Sequence, residues 1–225
     1  MEIRPLGHAA FELTHDGVTV LIDPFLTGNP KGAATADELA ADAIVVTHGH
    51  GDHVGDTVSI AARTGATVVA ITELARELAG EGVENVRDPN LGGTVSFDWG
   101  AVKLVPAWHT STTPKGTVNT PAGVIVTFGG LTVYHLGDTA LFGDLELVGR
   151  RHAVDVALIC IGGHYTMDRH DAVEAARMIG ARLVIPCHYN TFPPIATDAE
   201  AFKADVEAET ASEVLVLAPG ERHTP

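Results

Sequence analysis

The chain has 225 residues, 45% of them hydrophobic, and its 29 acidic against 14 basic side chains give a formal charge of −15. That length suffices to bury a full core as a single domain over residues 1–225, and the absence of a Lys/Arg cluster argues against a nucleic-acid partner, whose phosphates need concentrated positive charge. No apolar run approaches the ~20 residues that span a bilayer, and the start MEIRPLGHAAFEL lacks the basic-then-apolar layout of a secretory leader, so the expectation is a soluble cytoplasmic protein with no membrane partner.

In chain order, EIRPLG, AFELTH and VTVLIDP read as an antiparallel β opening, with His15-Asp16-Gly17 as a hairpin turn. A Gly/Ala/Thr-rich connection leads to the strand DAIVVT, the loop THGHGDHVGD and a helix from about Asp56 to Arg63. TVVAIT and ELARELAG repeat the strand-then-helix rhythm, and residues 94–108 read as two strands around Gly100 that end at His109. The polar segment 110–121 (TSTTPKGTVNTP) reads either as a solvated junction or as a mobile flap whose Lys115 attracts an anionic substrate group. A second half follows: PAGVIVTF, a Gly129-Gly130 turn, LTVYHLGD, VDVALICIGG, the helix DAVEAARMIG, RLVIPCHY, the helix DAEAFKADVEAE and a last strand EVLVLAP. Cys160 and Cys187 lie in apolar runs and read as buried free thiols. Two β-rich halves with helices imply an α/β fold of two sheets packed face to face and covered outside by helices.

The loop after DAIVVT carries the chemistry. Residues two apart in an extended segment point the same way, so His48 and His50 can face one ion, while Asp52 and His53, at the start of a helix, turn toward a second position. Three other strands end in a ligand type: LVPAW in His109, LTVYHLG in Asp138 and LVIPC in His188. If these strands run alongside DAIVVT, their carboxyl ends share one edge of the sandwich. Asp138 is then the natural bridge, its two oxygens each holding one metal of a pair ~3.5–4 Å apart.

The ordered set H-x-H-x-D-H, isolated His, G-D-T and late His resembles the metallo-β-lactamase superfamily over nearly the whole chain. More narrowly, LGHAAFEL, DPFLTGNP, THGHGDHVGD, VPAWHTS, YHLGDTALFGD, IGGHYTM and PCHYNTFP are similar to its uncharacterised metal-dependent hydrolase branch, related to L-ascorbate-6-phosphate lactonases. The resemblance implies a four-layer αββα sandwich, His48, His50 and His109 on a first metal, Asp52, His53 and His188 on a second, and Asp138 between them. It also implies that Asp23 is a carboxylate behind the ligand loop, with a simple turn aspartate as the alternative; Thr47 would support it. His8 is similar to a His that the branch places near the site, against a purely structural role.

His164 and Tyr165, at another strand end, would reach substrate or merely cap the next helix, and Asn190, Thr191 and Phe192 would shape the pocket wall. His135 reads as packed, Cys187 as core, and His15, His152, His170 and His223 as surface residues. Zinc suits the donors best, with manganese, iron and nickel open. The expected chemistry is two-metal hydrolysis of a small-molecule ester, lactone or phosphoester by a bridging hydroxide that Asp52 orients, with an anionic substrate among the options. A small phosphodiesterase and a non-catalytic metal-dependent sensor are the rivals, and a homo-oligomer stays open.

Overall fold

The computed structural model describes residues 1–225. The first sheet runs in the order β1 (Glu2–Gly7), β2 (Ala10–His15), β3 (Val18–Ile22), β4 (Ala43–Val45), β5 (Thr67–Val69) and β6 (Val86–Arg87). Its first three strands are antiparallel and β3 to β6 are parallel. Asp16 (φ 47°) and Gly17 (φ 81°) form the turn between β2 and β3. Positive φ at both central residues is what a two-residue hairpin turn needs to match the twist of its strands. Between β4 and β6 the chain forms the short helical turn α1 (Gly51–Val54) and the helices α2 (Thr57–Thr64) and α3 (Thr72–Gly80).

The second sheet repeats this plan. Strands β7 (Thr94–Phe97), β8 (Gly100–Pro106), β9 (Ala122–Phe128) and β10 (Leu131–His135) are antiparallel, and β11 (Val156–Cys160), β12 (Leu183–Cys187) and β13 (Glu213–Val214) continue parallel to β10. Helices α4 (Asp144–His152), α5 (Arg169–Ile179) and α6 (Ala199–Glu209) occupy the connections.

Side-chain alternation assigns the layers. In β8, β9 and β10, Leu104, Val124, Val126 and Val133 join a core shared with Leu13, Val20 and Val45 of the first sheet. Their neighbours Val105, Ile125 and Tyr134 instead pack with Leu145, Val173 and Phe202 of α4, α5 and α6. A period of two sends alternate residues to opposite faces, so the sheets meet face to face with α4–α6 outside. Ile60 and Leu74 place α2 and α3 against the first sheet, completing the αββα sandwich. No helix is long and apolar enough to cross a membrane.

Several expectations change. Helix α4 is not among the predicted elements: only Leu145, Val148 and Gly149 of DLELVGRRH are buried, too thin an apolar stripe to stand out. Strand β6 is likewise absent from the sequence reading, and the last strand is two residues long rather than the whole of EVLVLAP. The 110–121 segment is an anchored loop rather than a free flap: most of its residues are exposed, but Ser111, Thr113 and Asn119 are buried and Thr112 bridges Val118. Lys115 sits 2.8 Å from Glu81, beside α3. His223 bonds β1 through the backbone of Ile3.

One helix contact is testable. A Cβ on Gly149 of α4 would lie 2.2 Å from the carbonyl oxygen of Ile179 in α5, whereas one on Gly80, the last residue of α3, meets nothing within 4 Å. Gly149→Ala should therefore destabilise by about 2 kcal/mol or more through overpacking. Gly80→Ala should stabilise by about 0.5–1 kcal/mol, as relief of chain entropy alone requires. Denaturant melts of the two variants check the opposite signs.

Candidate metal centre

Strands β8 and β10 both run antiparallel to β9, and β11 and β12 run parallel to β10, so β8, β10 and β12 all finish at one edge of the second sheet. His109, Asp138 and His188 follow those ends. From the first sheet, β4 runs into Thr47 and His48, and His50 caps α1, which turns Asp52 and His53 inward. The amide of Gly49 donates to the buried side chains of Ser111 (2.8 Å) and Asn119 (3.2 Å), so these two residues of the 110–121 segment hold the ligand loop in place.

All seven predicted ligands converge. The donor atoms of His48, His50 and His109 lie within 4.8 Å of one another, as do those of Asp52, His53, His188 and His8. Asp138 stands between the groups: one oxygen is 3.4 Å from His53 Nε2, and the other is 3.1 Å from His188 Nε2 and 3.6 Å from His109 Nε2.

Proton counting shows which nitrogens are free to bind. Asp23, fully buried at the end of β3, accepts from the Thr47 amide (2.8 Å), the Thr47 hydroxyl (2.7 Å) and His53 Nδ1 (2.7 Å). A carboxylate only accepts, so the single Thr47 proton goes to Asp23. Thr47 Oγ1 must then accept from His48 Nδ1 at 3.0 Å. Both rings therefore carry their proton on Nδ1 and turn an Nε2 lone pair toward the centre. Asp23 and Thr47 are thus the partners that fix ligand tautomers.

Charge follows the same pattern. Burial holds His48 well below the ordinary histidine range and also lowers His50 and His109, so all three offer lone pairs. Burial opposes charge on His53, but the carboxylates of Asp138 and Asp23 outweigh it and raise its pKa, so a metal ion bound at Nε2 would displace a second proton from that nitrogen. For Asp138, burial favours the neutral acid, yet His53 and His188 hold its pKa well below the usual carboxylate range. His53 Nε2, both nitrogens of His188 and one Asp138 oxygen are buried without a hydrogen-bond partner. Such orphans each cost about 1–3 kcal/mol, and a cation among them would satisfy all at once. The donor set fits divalent metal.

His8 belongs to the site. Burial pushes its pKa down to about 4, so the neutral ring donates from Nε2 to Asp52 (3.1 Å) and accepts the Thr191 hydroxyl proton at Nδ1 (2.8 Å). The bond to His8 and the nearby His53 lower the Asp52 pKa against its burial. His8, Asp23 and His188 all adopt positive φ, at 60°, 45° and 54°, a conformation rare outside glycine.

The site opens into a cavity of about 450 Å³ lined by His50, Asp52, His109 and Asp138 together with Tyr165, Phe192, Pro194 and Ile195. Three expected contributors, His164, Asn190 and Thr191, are absent from the lining, and Thr191 bonds His8 instead. His164 is exposed and turned outward by its positive φ of 55°, with its ring against Tyr165. Asn190 braces its own loop instead, bonding Thr197 at 2.8 and 3.0 Å. His135 is packed as expected, bonded to the carbonyl of Ala9. The sequence reading missed Ser111 and Asn119 as supports of the ligand loop; polar side chains flanking the Pro114–Gly116 turn were the available signal.

Residues 2–188 match a family described as a beta-lactamase superfamily domain. The chain is 48% identical over 228 residues to the UPF0173 metal-dependent hydrolase of Methanopyrus kandleri, with 99% of each chain covered. It is 47% identical over 222 residues to that of Thermus thermophilus, covering 98% of this chain and 97% of the relative. Among solved structures, Igni18, described as a novel metallo hydrolase from Ignicoccus hospitalis, superposes with a TM-score of 0.90 at 38% identity, covering 99% of this chain and 97% of that one. With the αββα sandwich and the converging His/Asp groups, these matches place the chain in the UPF0173 metal-dependent hydrolase family of the metallo-β-lactamase superfamily.

Proposed function

We propose that this chain is a cytoplasmic, single-domain hydrolase that holds two divalent ions, zinc by preference, and cleaves a small-molecule ester, lactone or phosphoester. The observation that carries the reading is the pair of donor groups meeting at Asp138, with buried nitrogens that have no other partner. His48, His50 and His109 would hold one ion, Asp52, His53 and His188 the other, and Asp138 both. Bound there, the metals supply Lewis acidity toward the scissile bond and lower the pKa of water.

The protein's own groups supply orientation. Asp52 has a side chain 35% exposed to the cavity, so its carboxylate can both hold metal and take up the proton of an attacking water. His8 fixes that carboxylate from behind through Nε2 and is a positioning residue. Asp23 and Thr47 keep His53 and His48 in the tautomers that ligation needs. The apolar side of the cavity excludes bulk water from the reacting bond.

Elemental analysis of mildly purified or reconstituted protein should give close to two divalent ions per chain. A chain that retains none after reconstitution would contradict the assignment.

Asp138→Ala disturbs both donor groups, whereas His8→Ala removes only the brace behind Asp52. The first should lower kcat/KM at least ~10³-fold and reduce metal content; the second should lower kcat/KM ~10–100-fold with metal retained. Equal kcat/KM for the two variants would refute the roles given to them.

A further inference from the structure

The cavity beside the centre has a mixed lining. Metal donors line it together with Tyr165, Phe192, Pro194 and Ile195, and no Lys or Arg is among the lining residues. Lys115, in the segment that follows His109, is engaged by Glu81 at 2.8 Å and lines a separate depression. An anionic group remote from the scissile bond would therefore meet no counter-charge on the cavity wall, in a chain whose net charge is already −15.

The apolar wall is preformed. Asn190 clamps the Phe192–Ile195 turn, donating its amide to the Ile195 carbonyl (2.9 Å) and exchanging two bonds with Thr197. The Tyr165 loop is closed by Gly163 donating to the Met167 carbonyl (3.1 Å), and Met167 is anchored on Thr139 (2.9 Å), next to Asp138. Held this way, Tyr165 and Phe192 remain 57% and 37% exposed. Large apolar side chains fixed at a cavity mouth beside polar groups are the usual make-up of a small-ligand site.

Resting on the hydrolase reading, we infer that the substrate is neutral away from its scissile bond and carries an apolar acyl tail, which sits on Tyr165, Phe192 and Pro194. Anionic tails are selected against. Substrates with a phosphate or carboxylate on the tail are therefore poor ones, and Lys115 plays no part in the choice.

The test compares p-nitrophenyl hexanoate with mono-p-nitrophenyl adipate, which share a leaving group and differ in a terminal methyl against a terminal carboxylate. For the zinc-loaded enzyme, kcat/KM should favour the hexanoate at least ~10-fold, the scale on which an apolar pocket discriminates small changes in a tail. Phe192→Lys and Tyr165→Lys, both at exposed positions that tolerate the charge, should each shrink or invert that ratio, while Lys115→Ala leaves it unchanged. Adipate cleaved as well as hexanoate, or a ratio indifferent to both lysine variants, overturns the inference and leaves the hydrolase reading intact. If neither ester turns over, the carboxylic-ester form of the hydrolase reading fails, and saturation-transfer NMR with hexanamide and adipamate decides the tail separately. Contact with hexanamide alone sustains the apolar wall; equal contact with both, or with neither, overturns it.

Discussion

The Asp23 carboxylate is the interaction on which the rest of the structure depends. It is fully buried at the end of β3 and accepts three hydrogen bonds, from two atoms of Thr47 and from His53. A buried carboxylate is costly unless such bonds replace its water, so the ends of β3 and β4 and the turn α1 must close together for it to be tolerated. Closing them fixes the proton positions on two imidazoles, and those positions decide that lone pairs rather than N–H groups face inward. The donor chemistry of the centre is thus set one layer behind it.

The centre is also a joint between the two sheets. His48, His50, Asp52 and His53 arrive from the first sheet, and His109, Asp138 and His188 from the second. Backbone bonds cross at the same place: the amide of His188 to the carbonyl of His8 (2.9 Å) and that of Ala122 to Thr47 (3.0 Å). Ions bound to donors from both sheets would add their binding free energy to the docking of the halves. Metal occupancy and sheet–sheet cohesion are then one quantity, seen from two sides.

Much of this is legible in the sequence because ligand-bearing strands announce themselves: apolar runs that end in His or Asp place those residues at a sheet edge whatever the details of the turns. The strand ends before His109, Asp138 and His188 read correctly for that reason. What fails to read is whatever depends on a partner distant in sequence. His8 and Asp52 are 44 residues apart, and nothing local to either shows that they bond. Lys115 looks unpaired in the sequence because Glu81 lies 34 positions earlier, just past α3. His164 and Asn190 depart from expectation because a place after a strand end does not reveal the turn that follows: both adopt positive φ, and Asn190 closes its own loop on Thr197. Helix α4 carries an apolar stripe too thin to recognise until the packing surface beneath it is known.

The left-handed backbone at His8, Asp23 and His188 places this fold off its own stability optimum. Each such conformation at a non-glycine residue costs on the order of 1–3 kcal/mol, and glycine would relieve it at all three positions while deleting a donor or its brace. At Asp23 that relief would not offset the loss, because three buried donors on Thr47 and His53 would be left without an acceptor. The strained backbone is therefore held in place by the bonds its side chains make, and a relaxed version of the sandwich would first need new partners for those donors.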